Sequence, residues 1–187
     1  DHPGHELAPC DFDGDGDLDL YLARGEGLPD SLLLNEGEGS FRDVTIELGL
    51  LAFRDTTAAR WLDYDRDGLP DLLVGSSDQP LELYHQTEGG VFQPVAWDLG
   101  LWVPRGIRQI LVGDFLGDQH PDFFLGIEGM SDRFCRNLPG ENWENWRFVD
   151  VTAELGFDSG EDGAVALVDM DGDGRLDVAR TSPGRNG

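Results

Sequence analysis

Apolar residues in this 187-residue chain come in short runs broken by Gly, Pro and Asp. TTAARWL, GIRQILVG and GAVALV stand just before clusters of acid, and LDLYLA, PDLLVG, PDFFLG and LDVAR just after them. SLLLN, LELYH and RFCRN form a third set, and a fourth segment surrounds Phe41, Phe92 and Phe148. None is long enough for an ordinary helix, so the pattern predicts short strands bounded by turns. Only the VTxELG stretch, as in VTIELGL and VTAELGF, predicts a helical turn.

The four kinds of run recur in order. DFDGDGDLD starts at Asp11, DYDRDGLPD at Asp63, DFLGDQHPD at Asp114 and DMDGDGRLD at Asp169, so the spacings are 52, 51 and 55 residues. Four strands in about 50 residues match one blade of a β-propeller. The expected fold is all-β: a single repeat domain with blades at about 5–56, 57–105 and 106–162 and a half blade at 163–187. About three and a half blades fall short of the roughly four to eight that close a ring. The expectation is therefore a shared ring or part of a larger propeller, and a start at Asp1 without Met fits a processed chain or a piece. Extra residues in the third repeat fall in RNLPGENWENW, read as a longer surface loop.

The acidic loops define the chemistry. Ca²⁺ takes six to eight oxygens, and carboxylates at alternate positions of a tight curve supply them from one side. In the first loop the candidate ligands are Asp11, Asp13, Asp15, Asp19 and the Asp17 carbonyl; in the second, Asp63, Asp65, Asp67, Asp71 and the Leu69 carbonyl. The fourth offers Asp169, Asp171, Asp173, Asp177 and the Arg175 carbonyl. Solvated acidic turns are the bland alternative, but close carboxylates repel one another without a cation. The third loop is poorer: Leu116 and Gln119 replace a carboxylate and a glycine, leaving Asp114, Asp118 and Asp122 as tentative ligands. An EF-hand would need Glu at position twelve, where Leu22, Val74, Leu125 and Arg180 stand.

The acidic loop, followed by NEGEGSFRDVTIELGL, resembles FG-GAP/VCBS repeat proteins. The resemblance covers residues 5–187 and is strongest to the cartilage-acidic-protein type with an ASPIC/UnbV tail; the integrin α-subunit propeller is a more distant likeness. It implies a propeller, usually of seven blades, with Ca²⁺ in blade loops, an extracellular or cell-surface location and a role in adhesion or recognition. The chain departs from the pattern in its third loop, and the tail domain is expected to be missing from residues 5–187.

Charge narrows the partners. With 38 acidic and 13 basic residues, the formal net charge of -25 disfavours nucleic acid and anionic membrane. No apolar run reaches the roughly 18 residues of a membrane span. Cys10 and Cys135 belong to non-adjacent repeats and are expected as free thiols. No GxSxG, HExxH or phosphate-binding glycine loop is present, so the reading is non-catalytic; a propeller lyase or hydrolase is the enzyme alternative.

His2 and His5 near Cys10, and His85 and His120, are read as surface residues. Arg60, Arg108 and Gln109 fall in innermost segments, either to bind an anion or to neutralise acidic loops. Trp143 and Trp146 are either an exposed patch for protein or sugar or buried against a neighbouring blade; Trp61, Trp97 and Trp102 are read as packed. The partner is a protein or glycan, with self-assembly through an open blade edge as the alternative.

Overall fold

A computed structural model describes residues 5–156, 165–172 and 177–181. It is all-β apart from one 3-10 turn at Trp143–Asn145. The first sheet holds β1 (His5–Cys10), β2 (Asp19–Arg24), β3 (Ser31–Asn35) and β4 (Phe41–Asp43). The second holds β5 (Thr56–Leu62), β6 (Asp71–Ser76), β7 (Glu82–Gln86) and β8 (Phe92–Pro94). The third holds β9 (Ile107–Gly113), β10 (Asp122–Ile127), β11 (Arg133–Leu138) and β12 (Arg147–Asp150). Strands β13 (Val165–Val168) and β14 (Asp177–Arg180) pair as a further two-stranded sheet. Every sheet is antiparallel with neighbours in chain order, the arrangement of propeller blades.

The core lies between the sheets. One cluster, with Phe12, Tyr21, Leu32, Leu72 and Phe92, joins the first sheet to the second. Another, with Tyr64, Leu83, Leu99, Phe123 and Phe148, joins the second to the third. A smaller one around Phe124, Phe134 and Val165 continues to β13. Because both faces of the second and third sheets are covered, β6 and β10 are buried at every residue, DLLVGS and DFFLGI, instead of alternating.

Innermost strands of successive sheets are joined by polar contacts. Trp61 Nε1 donates to the Ala8 carbonyl at 3.0 Å, Thr57 Oγ1 to the Ile107 carbonyl at 2.5 Å, and Gln109 Nε2 to the Val165 carbonyl at 2.8 Å. Arg60 pairs with Glu6 of β1 and Arg108 with Asp132 at 3.3 Å, so these arginines neutralise neighbouring carboxylates, though not those of the acidic loops.

The VTxELG stretch, VAWDLG in the second repeat, forms one α-turn in each four-stranded sheet: Leu48 N donates to the Val44 carbonyl at 2.9 Å, Leu99 N to Val95 at 3.1 Å and Leu155 N to Val151 at 3.0 Å. Gly49 and Gly100 close the first two with φ of 85° and 87°, a conformation that favours glycine. A Cβ at Gly49 would also lie 2.9 Å from the Phe92 carbonyl oxygen. The turn needs that closeness, because the Leu48 carbonyl accepts from Phe92 N at 2.9 Å and Leu99 from Phe148 N at 2.8 Å, docking each turn on the next sheet. The DVT residues before it carry a second lock: Asp43 Oδ1 accepts from Thr45 N, and Thr45 Oγ1 in turn accepts from Leu32 N at 2.8 Å.

Trp97 and Trp102 do not pack inside. They are 71% and 57% exposed and meet edge to face at 6.2 Å, because Trp97 occupies the outward position of the turn, as exposed Ile46 does one sheet earlier. Trp61 is packed as expected, against Phe12, Tyr21 and Phe92. Cys10 and Cys135 are both free thiols, and burial pushes the Cys135 thiol up to about 12. Among the described residues no helix is long and apolar enough to cross a membrane.

One side-chain amide gives a test of the inter-sheet contacts. Asn137 is fully buried and its Nδ2 donates to the Tyr64 carbonyl of the preceding sheet at 2.8 Å. Asn137→Ala should lower unfolding stability by about 1–3 kcal/mol in urea titration, because the carbonyl loses its partner without regaining water. Arg42→Ala, which removes only exposed ion pairs, should leave the urea midpoint essentially unchanged.

Candidate metal centre

Each acidic loop connects the first two strands of its sheet and folds around its own carboxylates. In the first loop Asp11 accepts from Gly14 N at 2.8 Å and Gly16 N at 3.0 Å, Asp13 from Asp15 N at 3.2 Å and Asp15 from Asp17 N at 2.8 Å. The second repeats this: Asp63 accepts from Gly68 N at 3.0 Å, Asp65 from Asp67 N at 3.3 Å and Asp67 from Leu69 N at 2.8 Å. The third and fifth positions thus use one oxygen to shape the turn. The amide at position seven is bonded inside the loop.

The result is convergence. One carboxylate oxygen each from Asp11, Asp13 and Asp15 lie within 4.8 Å of one another, as do those of Asp63, Asp65 and Asp67. The same holds for Asp114, Asp118 and Asp122, and for Asp169, Asp171 and Asp177. Asp173 and Arg175 lie outside the described residues. Asp63 Oδ1 is buried and accepts no hydrogen bond from the protein, an orphaned anionic oxygen inside a ring of like charge. Hard oxygen donors, a tight turn and an unpaired buried carboxylate oxygen fit Ca²⁺.

The ninth-position aspartate has a further role. Asp19 is buried, with Oδ2 accepting from Phe12 N at 3.2 Å and Oδ1 from Asn35 N of the third strand at 2.7 Å. Asp71 accepts from Tyr64 N at 3.0 Å and Gln86 N at 2.9 Å, and Asp122 from Phe115 N at 3.2 Å and Asn137 N at 2.9 Å. Asp177 accepts from Met170 N at 2.8 Å. This residue clamps the loop to the sheet as well as adding charge beneath it. Burial pushes the Asp71 and Asp122 carboxyls up to about 6 against the pull of those amides, and a cation above would offset the penalty.

Gln86 and Asn137, which spacing alone did not single out, link successive loops. Gln86 N bonds Asp71, while its Nε2 reaches back to the Phe12 carbonyl in the preceding loop at 3.0 Å. Asn137 does the same between Asp122 and the Tyr64 carbonyl. The available signal was their recurrence, with Asn35, at the blade period.

His85 is not a surface residue. It is buried, with Nδ1 3.2 Å from Asp71 Oδ1 and 3.8 Å from Asp65 Oδ2, and it stacks on Trp143 at 4.7 Å. Burial opposes its charge, but Asp71 and Asp65 outweigh that and raise its pKa. His120 is half-buried, not exposed, and lies 3.3 Å from Asp118. Nothing is described of the His2 or His5 side chains. Of the two tryptophans in the third-repeat insertion, Trp146 is buried and Trp143 partly so.

The third loop has its own cation. Arg136 donates to Asp118 Oδ2 at 3.1 Å while the other oxygen meets the His120 amide and ring. Burial works against the Asp118 anion, yet Arg136 and His120 hold its pKa below the usual carboxylate value. The equivalent of Arg136 is Leu34 in the first sheet, which brings no charge to its loop, and His85 in the second, which sits against Asp71 and Asp65.

Residues 11–74 and 63–125 match the model of the FG-GAP-like repeat, together covering more than half of the chain. The chain belongs to the FG-GAP-like repeat family. The overlapping matches bracket the first three acidic loops, so the family's repeat unit runs from one loop through the next. Cartilage acidic protein 1 of Xenopus tropicalis is 28% identical over 168 residues, 86% of this chain and 26% of that protein. The human protein of the same name is 27% identical over 172 residues, again 86% of this chain and 25% of the relative. This FG-GAP-like chain spans about a quarter of the length of those relatives.

Two outcomes check these roles. Asp122→Ala should cost at least about 2 kcal/mol, from two buried amides left unpaired, whereas Asp118→Ala should cost about 1 kcal/mol or less; chemical denaturation separates them. The raised pKa of Asp122 means the folded metal-free chain binds more protons than the unfolded one between about pH 4 and 6. In chelator, the stability of the parent chain relative to Asp122→Asn should therefore fall as pH rises through that window, and a constant difference would contradict the assignment.

Proposed function

We propose that this chain is a calcium-stabilised propeller module of an extracellular protein, serving structure and recognition without catalysis. The observation that carries the reading is the orphaned Asp63 Oδ1 inside three convergent carboxylates, on a loop whose fold is repeated from sheet to sheet. The first, second and fourth loops are the ion sites; in the third, Arg136 takes the place of the ion.

The ligands in the first loop sit at the surface, with Asp13 and Asp15 exposed. Open sites of this sort suit the roughly 10⁻⁴–10⁻³ M affinities of extracellular calcium modules, which supports an extracellular location. A non-catalytic role is supported by where the polar groups point: Arg60 and Arg108 are engaged by Glu6 and Asp132, and the buried carboxylates serve the sheets. The recognised partner is a protein or glycan.

At free Ca²⁺ of ten to a hundred times Kd, each site contributes about 1.4–2.7 kcal/mol. Excess EDTA should lower the melting temperature by many degrees, and calorimetric titration should count three sites, falling to two in Asp63→Ala. A melt unchanged by EDTA would end this reading.

A further inference from the structure

Between the first and second sheets lies a groove whose equivalent, between the second and third, is occupied by tryptophans of the chain itself. The open groove encloses about 280 Å³ and is lined by Phe12, Leu34, Leu48, Leu69, Gln86 and Gly90 among others. Each key position has an equivalent one blade on. Phe12 and Tyr64 are second in their loops, Leu69 and His120 seventh, Leu34 and His85 next to last in the third strand, and Gly90 and Trp146 both stand two residues before the landmark aromatic.

In the second groove Trp146 lies edge to face on Tyr64 at 6.2 Å and against His120 at 5.3 Å, while Trp143 stacks on His85. Three positions that line the empty groove are thus, one blade on, in contact with an indole. Where the third sheet supplies Trp146, the second supplies Gly90, and a space is left. One wall is Gln86, 3% exposed; its Nε2 is committed to the Phe12 carbonyl, which fixes the amide orientation and leaves Oε1 without a partner. Asn137 Oδ1 is unpaired in the filled groove too, so the ring is what the groove selects, and an N–H or O–H on it facing Gln86 adds a bond.

We propose that this groove is the socket for an aromatic side chain, Trp or Tyr, presented by a basic segment of a partner protein. At its mouth Glu47 is paired with Arg42 and Asp13 belongs to the first acidic loop, which leaves Glu88 as the acid facing a partner on a chain of formal charge -25, so cationic residues flanking the ring are favoured. Burying the ring against Phe12, Leu34 and Leu48 supplies the driving force, as in the neighbouring groove. The socket names a partner for the recognition role above and rests on that reading.

Isothermal titration in Ca²⁺ with acetyl-Arg-Trp-Arg-amide, acetyl-Arg-Leu-Arg-amide and acetyl-Glu-Trp-Glu-amide tests it. The first peptide should bind at least about tenfold more tightly than either of the others. Leu34→Trp, which fills the groove from within, should weaken it by about tenfold or more, and Trp146→Gly should open a second site. Equal binding of the leucine peptide, binding unchanged in Leu34→Trp, or no saturable binding, as when the groove holds water alone or another part of the polypeptide, would overturn the proposal. Circular dichroism and the EDTA melt on the same samples show whether the calcium module itself stands, so the two failures are told apart.

Discussion

One buried carboxylate in each four-stranded sheet, the ninth residue of its acidic loop, ties that loop to the third strand. Asp19, Asp71 and Asp122 each take one amide from the acidic loop and one from the third strand, so the loop cannot lift from its sheet without breaking both bonds. The residue whose amide meets the carboxylate in the second and third sheets also extends a side-chain amide to the preceding loop. The chain of contacts runs from Asp19 through Phe12 and Gln86 to Asp71, then through Tyr64 and Asn137 to Asp122. It is strong because the groups are buried, and for the same reason it strains the anions it depends on.

That conflict gives the exposed part of the loop its purpose. An anion buried at the base is disfavoured, and three more carboxylates converge above it. Two solutions are built into one chain. Over Asp71 the third strand supplies His85, and the neighbouring oxygens converge with one left unpaired, which would suit a divalent ion; over Asp122 the third strand supplies Arg136. The electrostatic problem is the same in both, and the third loop's loss of a carboxylate at Leu116 goes with its gain of a guanidinium.

Much of this was legible in the sequence because it is periodic. Strands such as TTAARWL at Thr56–Leu62 and the turns closed by Gly49 and Gly100 follow from local chemistry repeated at a fixed spacing. What escaped depends on contacts that spacing does not reveal. His85 reads as a strand-end polar residue until Trp143, far along the chain in the insertion, is seen to cover it. Trp97 reads as core because of its size, although Ile46 at the same position shows that this site faces out. The ninth aspartate reads as one more ligand, since spacing gives no sign of the amides that turn it inward.

The measurement that bears most directly on the linked aspartates is amide hydrogen exchange with and without Ca²⁺. The amides of Phe12, Tyr64, Asn35, Gln86 and Asn137 should be strongly protected with the ion and lose protection together on chelation, with Phe115 over the Arg136 loop changing least. Protection that is unchanged by chelation, or lost equally at Phe115, would contradict the account.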